Sequence, residues 1–148
     1  MAANCRFAFA VHILAVLAYR REHGVTSDLL AASVNTNAVV IRRILSDLRR
    51  SGLVVTHKGA GGGARLSAPP EEITLDAVYR AVGSGPGFSP HPQHPNRRCP
   101  VGKKIERVLA EVFSSAQAAL EAELAHRTLA DVLETVTDGR AGPALKTG

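Results

Sequence analysis

NTNAVVIRRILSDLRRSGLVVTHKGAGGGARLS, residues 35–67, is the stretch whose reading decides the fold. Asn35, Thr36 and Asn37 supply side-chain oxygens able to accept the unpaired N–H groups at the start of a helix, which is expected to run to about Arg50. Within it Val40, Ile41, Ile44, Leu45 and Leu48 recur at three- and four-residue steps and so face a core. Arg42, Arg43, Ser46, Arg49 and Arg50 project elsewhere, and Ser51 with Gly52 stops the helix. Residues 53–57 then read as a strand, 58–63 as a turn and 64–67 as the returning strand. Gly59, Gly61, Gly62 and Gly63 allow the tip an approach that side chains would block. A nucleotide-phosphate loop is the rival for these glycines, but no Gly-Lys-Ser/Thr follows and no helix opens there.

Upstream, Gly24 ends a first helix, Thr26 or Ser27 caps a second, and residues 28–34 place Leu29, Leu30 and Ala32 on it. A short helix, a tight turn and a basic helix make a helix-turn-helix, whose second member enters the DNA major groove by its N-terminal end; the hairpin behind it is a wing. The fold class is therefore mainly α with a small β-hairpin: a winged helix-turn-helix followed by a long C-terminal helix. Val39, Val40, Arg42 and Arg43 are candidates near the groove, with Asn35, Thr36 and Asn37 capping or touching phosphate at the helix entrance. Arg49 and Arg50 extend the basic surface, and Lys58, Gly61, Gly62 and Arg65 form the wing contact. Neighbouring residues on a helix diverge by about 100 degrees, so of Arg42 and Arg43 one is expected on a phosphate and the other on a base.

Composition agrees. The chain has 148 residues, 45% of them hydrophobic, and a net charge of +5, which favours a polyanionic partner. With no Trp, two Tyr and four Phe there is little to stack unpaired bases on, so double-stranded DNA is the better target. Two cysteines, Cys5 and Cys99, are too few for a disulfide framework and suit a reducing cytoplasm. The apolar run at residues 7–19 imitates a secretory segment. It lacks an A-x-A-like site, is interrupted by His12, and falls short of the roughly 20 residues of a membrane span. A helix buried among the others is expected instead, with no membrane partner. No nucleophile elbow, paired-carboxylate motif or nucleotide loop suggests an enzyme. A protein-binding adaptor built on the same fold stays open as an alternative.

Residues 83–102, GSGPGFSPHPQHPNRRCPVG, are too rich in Gly, Pro and His for regular structure and are expected to form a surface loop. Cys99 lies beside Arg97 and Arg98 and just before Lys103 and Lys104, where positive charge and a helix start favour a thiolate and hence redox sensing. The bland alternative is an inert cysteine packed under the loop. A metal- or ligand-responsive regulator using His91, His94 and Cys99 is a further reading, though a structural zinc wants a fourth ligand that is not evident. Residues 103–127 read as one long helix with an apolar stripe from Ile105 through Val108, Val112 and Phe113 to Leu124. Such a helix needs a cover. Homodimerisation provides it and sets two basic helices about one DNA turn apart, on a palindromic operator; packing onto its own domain is the alternative. Thr128 with Asp131 resembles a capping box for a last short helix. The expected division is a DNA-binding domain at 1–82, a sensor loop at 83–102, dimerisation helices at 103–137 and a flexible tail at 138–148.

Residues 41–67, IRRILSDLRRSGLVVTHKGAGGGARLS, followed by 73–82, ITLDAVYRAV, resemble the bacterial Rrf-two family of winged-helix transcription regulators. The likeness rests on L-R-x-x-G-L at 48–53, G-x-G-G-G at 59–63 and the Ile-Thr-Leu helix start, and extends over most of the chain. It implies a homodimer that binds palindromic promoter DNA, here with a repressor role. Members that hold an iron-sulfur cluster carry three cysteines before the dimerisation helix; this chain has only Cys99 in that interval, so the resemblance carries over no cluster and no cofactor is expected. Lys58 stands where the family often has Arg, Ala60 where Pro is common and Ala64 where an aromatic is usual.

Overall fold

Local caps set the first half of the molecule. In the computed structural model, which describes residues 3–83 and 85–138, α1 (Ala3–Tyr19) is followed by α2 (Ser27–Val34) and α3 (Ala38–Arg50). Thr26 accepts the Leu29 N–H at 3.3 Å to start α2, and Asn37 accepts the Val40 N–H at 3.0 Å to start α3. Between them Asn35 takes φ 61°, the left-handed conformation that Asn tolerates better than most residues, and the Thr36 N–H closes the end of α2 on the Ala31 carbonyl at 3.0 Å. One residue thus turns the chain sharply from α2 into α3.

The apolar faces of these helices meet. Ile41, Ile44 and Leu48 of α3 are fully buried against Ala10, Ile13 and Leu14 of α1 and Leu30 of α2, within one core cluster. The apolar N-terminal run is accordingly a core helix. Among the described residues no helix is long and apolar enough to cross a membrane.

Strands β1 (Val54–His57) and β2 (Gly63–Leu66) pair antiparallel, from Val54 opposite Leu66 to His57 opposite Gly63. Val54 and Ala64 are buried beneath the hairpin. Val25 exchanges both hydrogen bonds with Ala64, at 3.0 and 2.8 Å, and so adds a bridge to the sheet from the α1–α2 connection. That bridge explains part of the glycine run. Gly63 sits at φ +130°, and a Cβ there would lie 2.7 Å from the Val25 backbone. A Cβ on Gly24 would meet the Gly62 carbonyl oxygen at 2.5 Å. The close approach these glycines permit is therefore to the protein's own backbone.

The second half begins with a 3-10 turn, Pro70–Glu72, and α4 (Leu75–Ala81), capped by Thr74 through the Ala77 N–H at 3.1 Å. α5 (Ile105–Ala125) has no buried residue. It starts later than residue 103 because residues 99–104 wind into a turn, in which the Lys103 N–H reaches the Cys99 carbonyl at 2.9 Å. α6 (Leu129–Thr137) opens on the expected capping box, with Thr128 and Asp131 exchanging bonds of 3.2 and 2.9 Å. Two backbone bonds, Leu75 N–H to the Arg127 carbonyl at 2.9 Å and Leu129 N–H to the Ile73 carbonyl at 2.8 Å, tie the start of α6 to that of α4. With Leu129 fully buried, α6 packs on α1 and belongs to the same core. Of the expected tail, residues 139–148 lie outside the described residues.

Gly63→Ala is expected to lower stability by more than about 1 kcal/mol, the cost of a side chain in the left-handed region alone, before the clash with Val25 is added. Thermal unfolding of the two proteins measures it; an unchanged melting temperature would contradict the bridge.

Candidate nucleic-acid interface

Because Ile41, Ile44, Leu45 and Leu48 fill the core side of α3, its opposite side is driven into solvent. Val39 is 54% exposed, and Arg42, Arg43, Arg49 and Arg50 are all exposed. Val40 is half-buried and packs on the core, so of the two valines Val39 is the outward one. Thr36 is half-buried, Asn35 makes the turn, and Asn37 spends its side-chain oxygen on the helix cap.

The arginines are not equivalent. Asp47 contacts Arg6 of α1 and lies 3.4 Å from Arg50, whose side chain stays mostly in water. Arg42 lies 3.8 Å from Asp28, a long ion pair with both side chains mostly in water. Arg43 and Arg49 make no ion pair among the described residues. Beside this face a cleft of about 270 Å³ opens between α3 and β1, lined by Ser27, Arg42, Leu45, Ser46, Arg49 and Thr56. Ser27 and Thr56 were not among the expected site residues. The alternation of β1, which puts Thr56 on the same side as buried Val54, is the signal that points it toward α3.

At the wing tip Lys58 and Gly61 are exposed, and the Gly62 N–H closes the turn on the Gly59 carbonyl at 3.0 Å. Arg65 is not with them. It stands opposite Val55, toward the base of the hairpin, beside a cleft shared with Leu17 and Arg21, and its Nε is covered without a hydrogen-bond partner.

The loop after α4 has no helix or strand, yet it is strapped to α5. The Gly87 N–H donates to Gln117 Oε1 at 3.0 Å, Phe88 stacks on Phe113 with centroids 5.3 Å apart, and His94 Nδ1 meets Glu106 at 3.1 Å. Tyr79 donates its hydroxyl to the Gly85 carbonyl. Cys99 is exposed rather than packed under the loop. Its thiol is held below the ordinary cysteine range by the backbone N–H of Gly102 and then that of Val101, with slight desolvation opposing. The physical cause is thus the amides of the turn that leads into α5; of the two causes expected, the neighbouring positive charge and the helix start, the arginines do not contribute. His91, His94 and Cys99 do not form a ligand cluster: among the described residues no group of three His, Cys, Asp or Glu is placed to hold a metal ion. Nor do the cysteines suit an iron-sulfur cluster, which wants several thiolates together; Cys5 sits on α1 and Cys99 in the turn before α5.

Comparison with known proteins accords with this geometry. The model of the family Rrf2, described as an iron-dependent transcriptional regulator, matches residues 3–135. YwnA of Bacillus subtilis (strain 168), described as an HTH-type transcriptional regulator, is 42% identical over 130 residues, 88% of this chain and 96% of that protein. A crystal structure described as that of a DNA binding protein is 41% identical, with a TM-score of 0.69 over 86% of this chain and 98% of that one. The structure of T. potens IscR shares the fold, with a TM-score of 0.70 over 93% of this chain and 89% of that chain at 20% identity. With most of its length matched and its basic helix turned outward, the chain belongs to the Rrf2 family of helix-turn-helix transcription regulators.

Proposed function

We propose that this regulator is a cytoplasmic homodimeric repressor that holds a palindromic double-stranded operator, with the first turns of α3 in the major groove and the wing tip against the backbone. The observation that carries the reading is the outward face of α3: Val39, Arg42, Arg43 and Arg49 stand exposed on a helix whose other side is locked in the core. Arginine forks recognise guanine edges and phosphates, and a bare valine suits a thymine methyl. Asn35, Thr36, Asn37 and Val40 flank the helix entrance, Arg50 adds charge at its far end, and Lys58, Gly61 and Gly62 form the wing contact, with Arg65 adding positive charge nearer the hairpin base. Binding at a promoter by such a protein blocks the polymerase by occupancy alone.

Dimerisation is supported by α5, where Val108, Val112 and Leu120 are 48%, 53% and 36% exposed. A two-fold axis through such a surface repeats the DNA-binding face and calls for a palindrome. In this division residues 1–82 bind DNA, 83–102 sense and 103–137 dimerise. Sensing is assigned to Cys99, exposed and held partly toward thiolate, whose oxidation to a sulfenic acid or mixed disulfide changes the turn that starts α5.

Affinity for an operator duplex is expected to fall steeply with salt. Arg43→Ala should cost about 1–3 kcal/mol in binding, and Lys58→Ala should flatten the salt slope by about 0.9 for each phosphate that the lysine no longer neutralises; a weak, salt-independent affinity would remove DNA as the partner. Val112→Glu is expected to leave a folded monomer with at least tenfold poorer operator binding, read by sedimentation equilibrium and fluorescence anisotropy; a persisting dimer would exclude α5 from the interface. For the thiol, the lowered pKa means that alkylation of Cys99 by iodoacetamide should reach its half-maximal rate at a lower pH in the folded protein than in the same chain unfolded by urea. Cys99→Ser should then leave operator binding insensitive to peroxide, and a retained peroxide response would relocate the sensor.

A further inference from the structure

We infer that the cleft between α3 and β1 seats a single phosphate group, with Arg42 and Arg49 supplying charge and Ser27, Ser46 and Thr56 supplying neutral donors. The inference rests on the DNA-binding reading above and deepens it: Arg42 positions the protein on the backbone, which leaves base reading to the Val39 and Arg43 side of the helix.

Three elements converge to make the seat. Residues 42, 46 and 49 of α3 recur at i, i+4 and i+7 and so share one face, whereas Arg43 is turned about 100 degrees away. Thr56 comes from the core-directed side of β1 and Ser27 from the first residue of α2, whose N-terminal dipole favours an anion. Leu45, only 8% exposed, forms the apolar floor of the cleft. The cleft of about 270 Å³ takes a tetrahedral phosphate with several waters, at about 30 Å³ each. Two guanidinium forks and three hydroxyls give a surplus of donors and no carboxylate among the lining residues. Asp28 is the acid that reaches toward it, 3.8 Å from Arg42, and with 84% of its side chain in water it is a poor rival for a phosphate.

The seat opens on the same side as the exposed face of α3, so the phosphate that fits it is one of the DNA backbone; a free phosphate ion shares the chemistry and is the competing source. The test uses the full-length protein, a duplex selected by it from a random pool, and a panel in which each base pair is replaced in turn. Arg42→Ala and Arg49→Ala are expected to weaken every duplex by a similar factor, roughly tenfold, and Thr56→Val by a few-fold, with circular dichroism confirming that these surface changes leave the fold intact. Replacing backbone phosphates one at a time by neutral methylphosphonate should find a position per half-site whose loss is no longer additive with Arg49→Ala. Asp28→Asn should tighten binding to all duplexes. A base preference altered in Arg42→Ala, or additive losses at every phosphate, would overturn the seat while leaving DNA binding in place. Stabilisation of the wild type by millimolar inorganic phosphate at constant ionic strength, lost in Arg42→Ala while methylphosphonate losses stay additive, would reassign the seat to a free ion and overturn the backbone assignment. A wild type that retains no duplex at all would sink the DNA-binding reading, and the seat with it.

Discussion

Burial of Ile41, Ile44 and Leu48 under α1 fixes the rotation of α3 about its own axis, and that rotation decides what the helix can touch. Each of these side chains, withdrawn from water, contributes on the order of 1.5–3 kcal/mol, so turning the helix to hide its arginines would expose several such groups at once. The basic face is outward because the apolar face has nowhere else to go. The Asn35 turn fixes the helix's direction as firmly as the core fixes its rotation, since one left-handed residue and one cap join it to α2.

The wing depends on the same body through a different device. Its strands are only four residues each, too short to hold together alone, and the Val25–Ala64 bridge lends them a third partner. Gly63 is spent on that bridge, while Gly61 faces open space at the tip. The glycine run therefore anchors one end of the turn to the protein and leaves the other in open space, where the proposed wing contact would lie.

What the sequence made legible were features whose cause is local. The caps at Asn37 and Thr128 and the core positions of α3 follow from spacing and from side chains that bond within three residues. Tertiary partners did not show. Nothing in the pattern of α3 announces that Asp47 meets Arg6, 41 residues earlier. The position of Arg65 near the hairpin base follows from a register set by the bridge to Val25, and a glycine-rich sequence specifies register weakly. Likewise the Cys99 shift comes from two specific amides of a turn aimed at one sulfur, a geometry that a charged stretch before a helix start does not display.

The return of α6 to the core changes how α5 must be understood. Both ends of α5 are attached: its C-terminal end by the backbone pairing around Thr74 and Thr128, its N-terminal half by the loop that stacks Phe88 on Phe113. Arg80 of α4 adds a bridge to Glu121 at 3.3 Å while holding Asp76 at 2.8 Å, exposed contacts that orient more than they stabilise. These attachments consume one side of the helix and leave Val108 and Val112 bare on another. A groove of about 490 Å³ between α1 and α6, lined by Val11, Ala15, Val132 and Val136 among others, is open as well. Apolar surface is thus left over along α5, whose 21 residues include none that is buried. Intramolecular packing is thus exhausted before the hydrophobic pattern is, which is the physical ground for a second protomer in the proposed assembly.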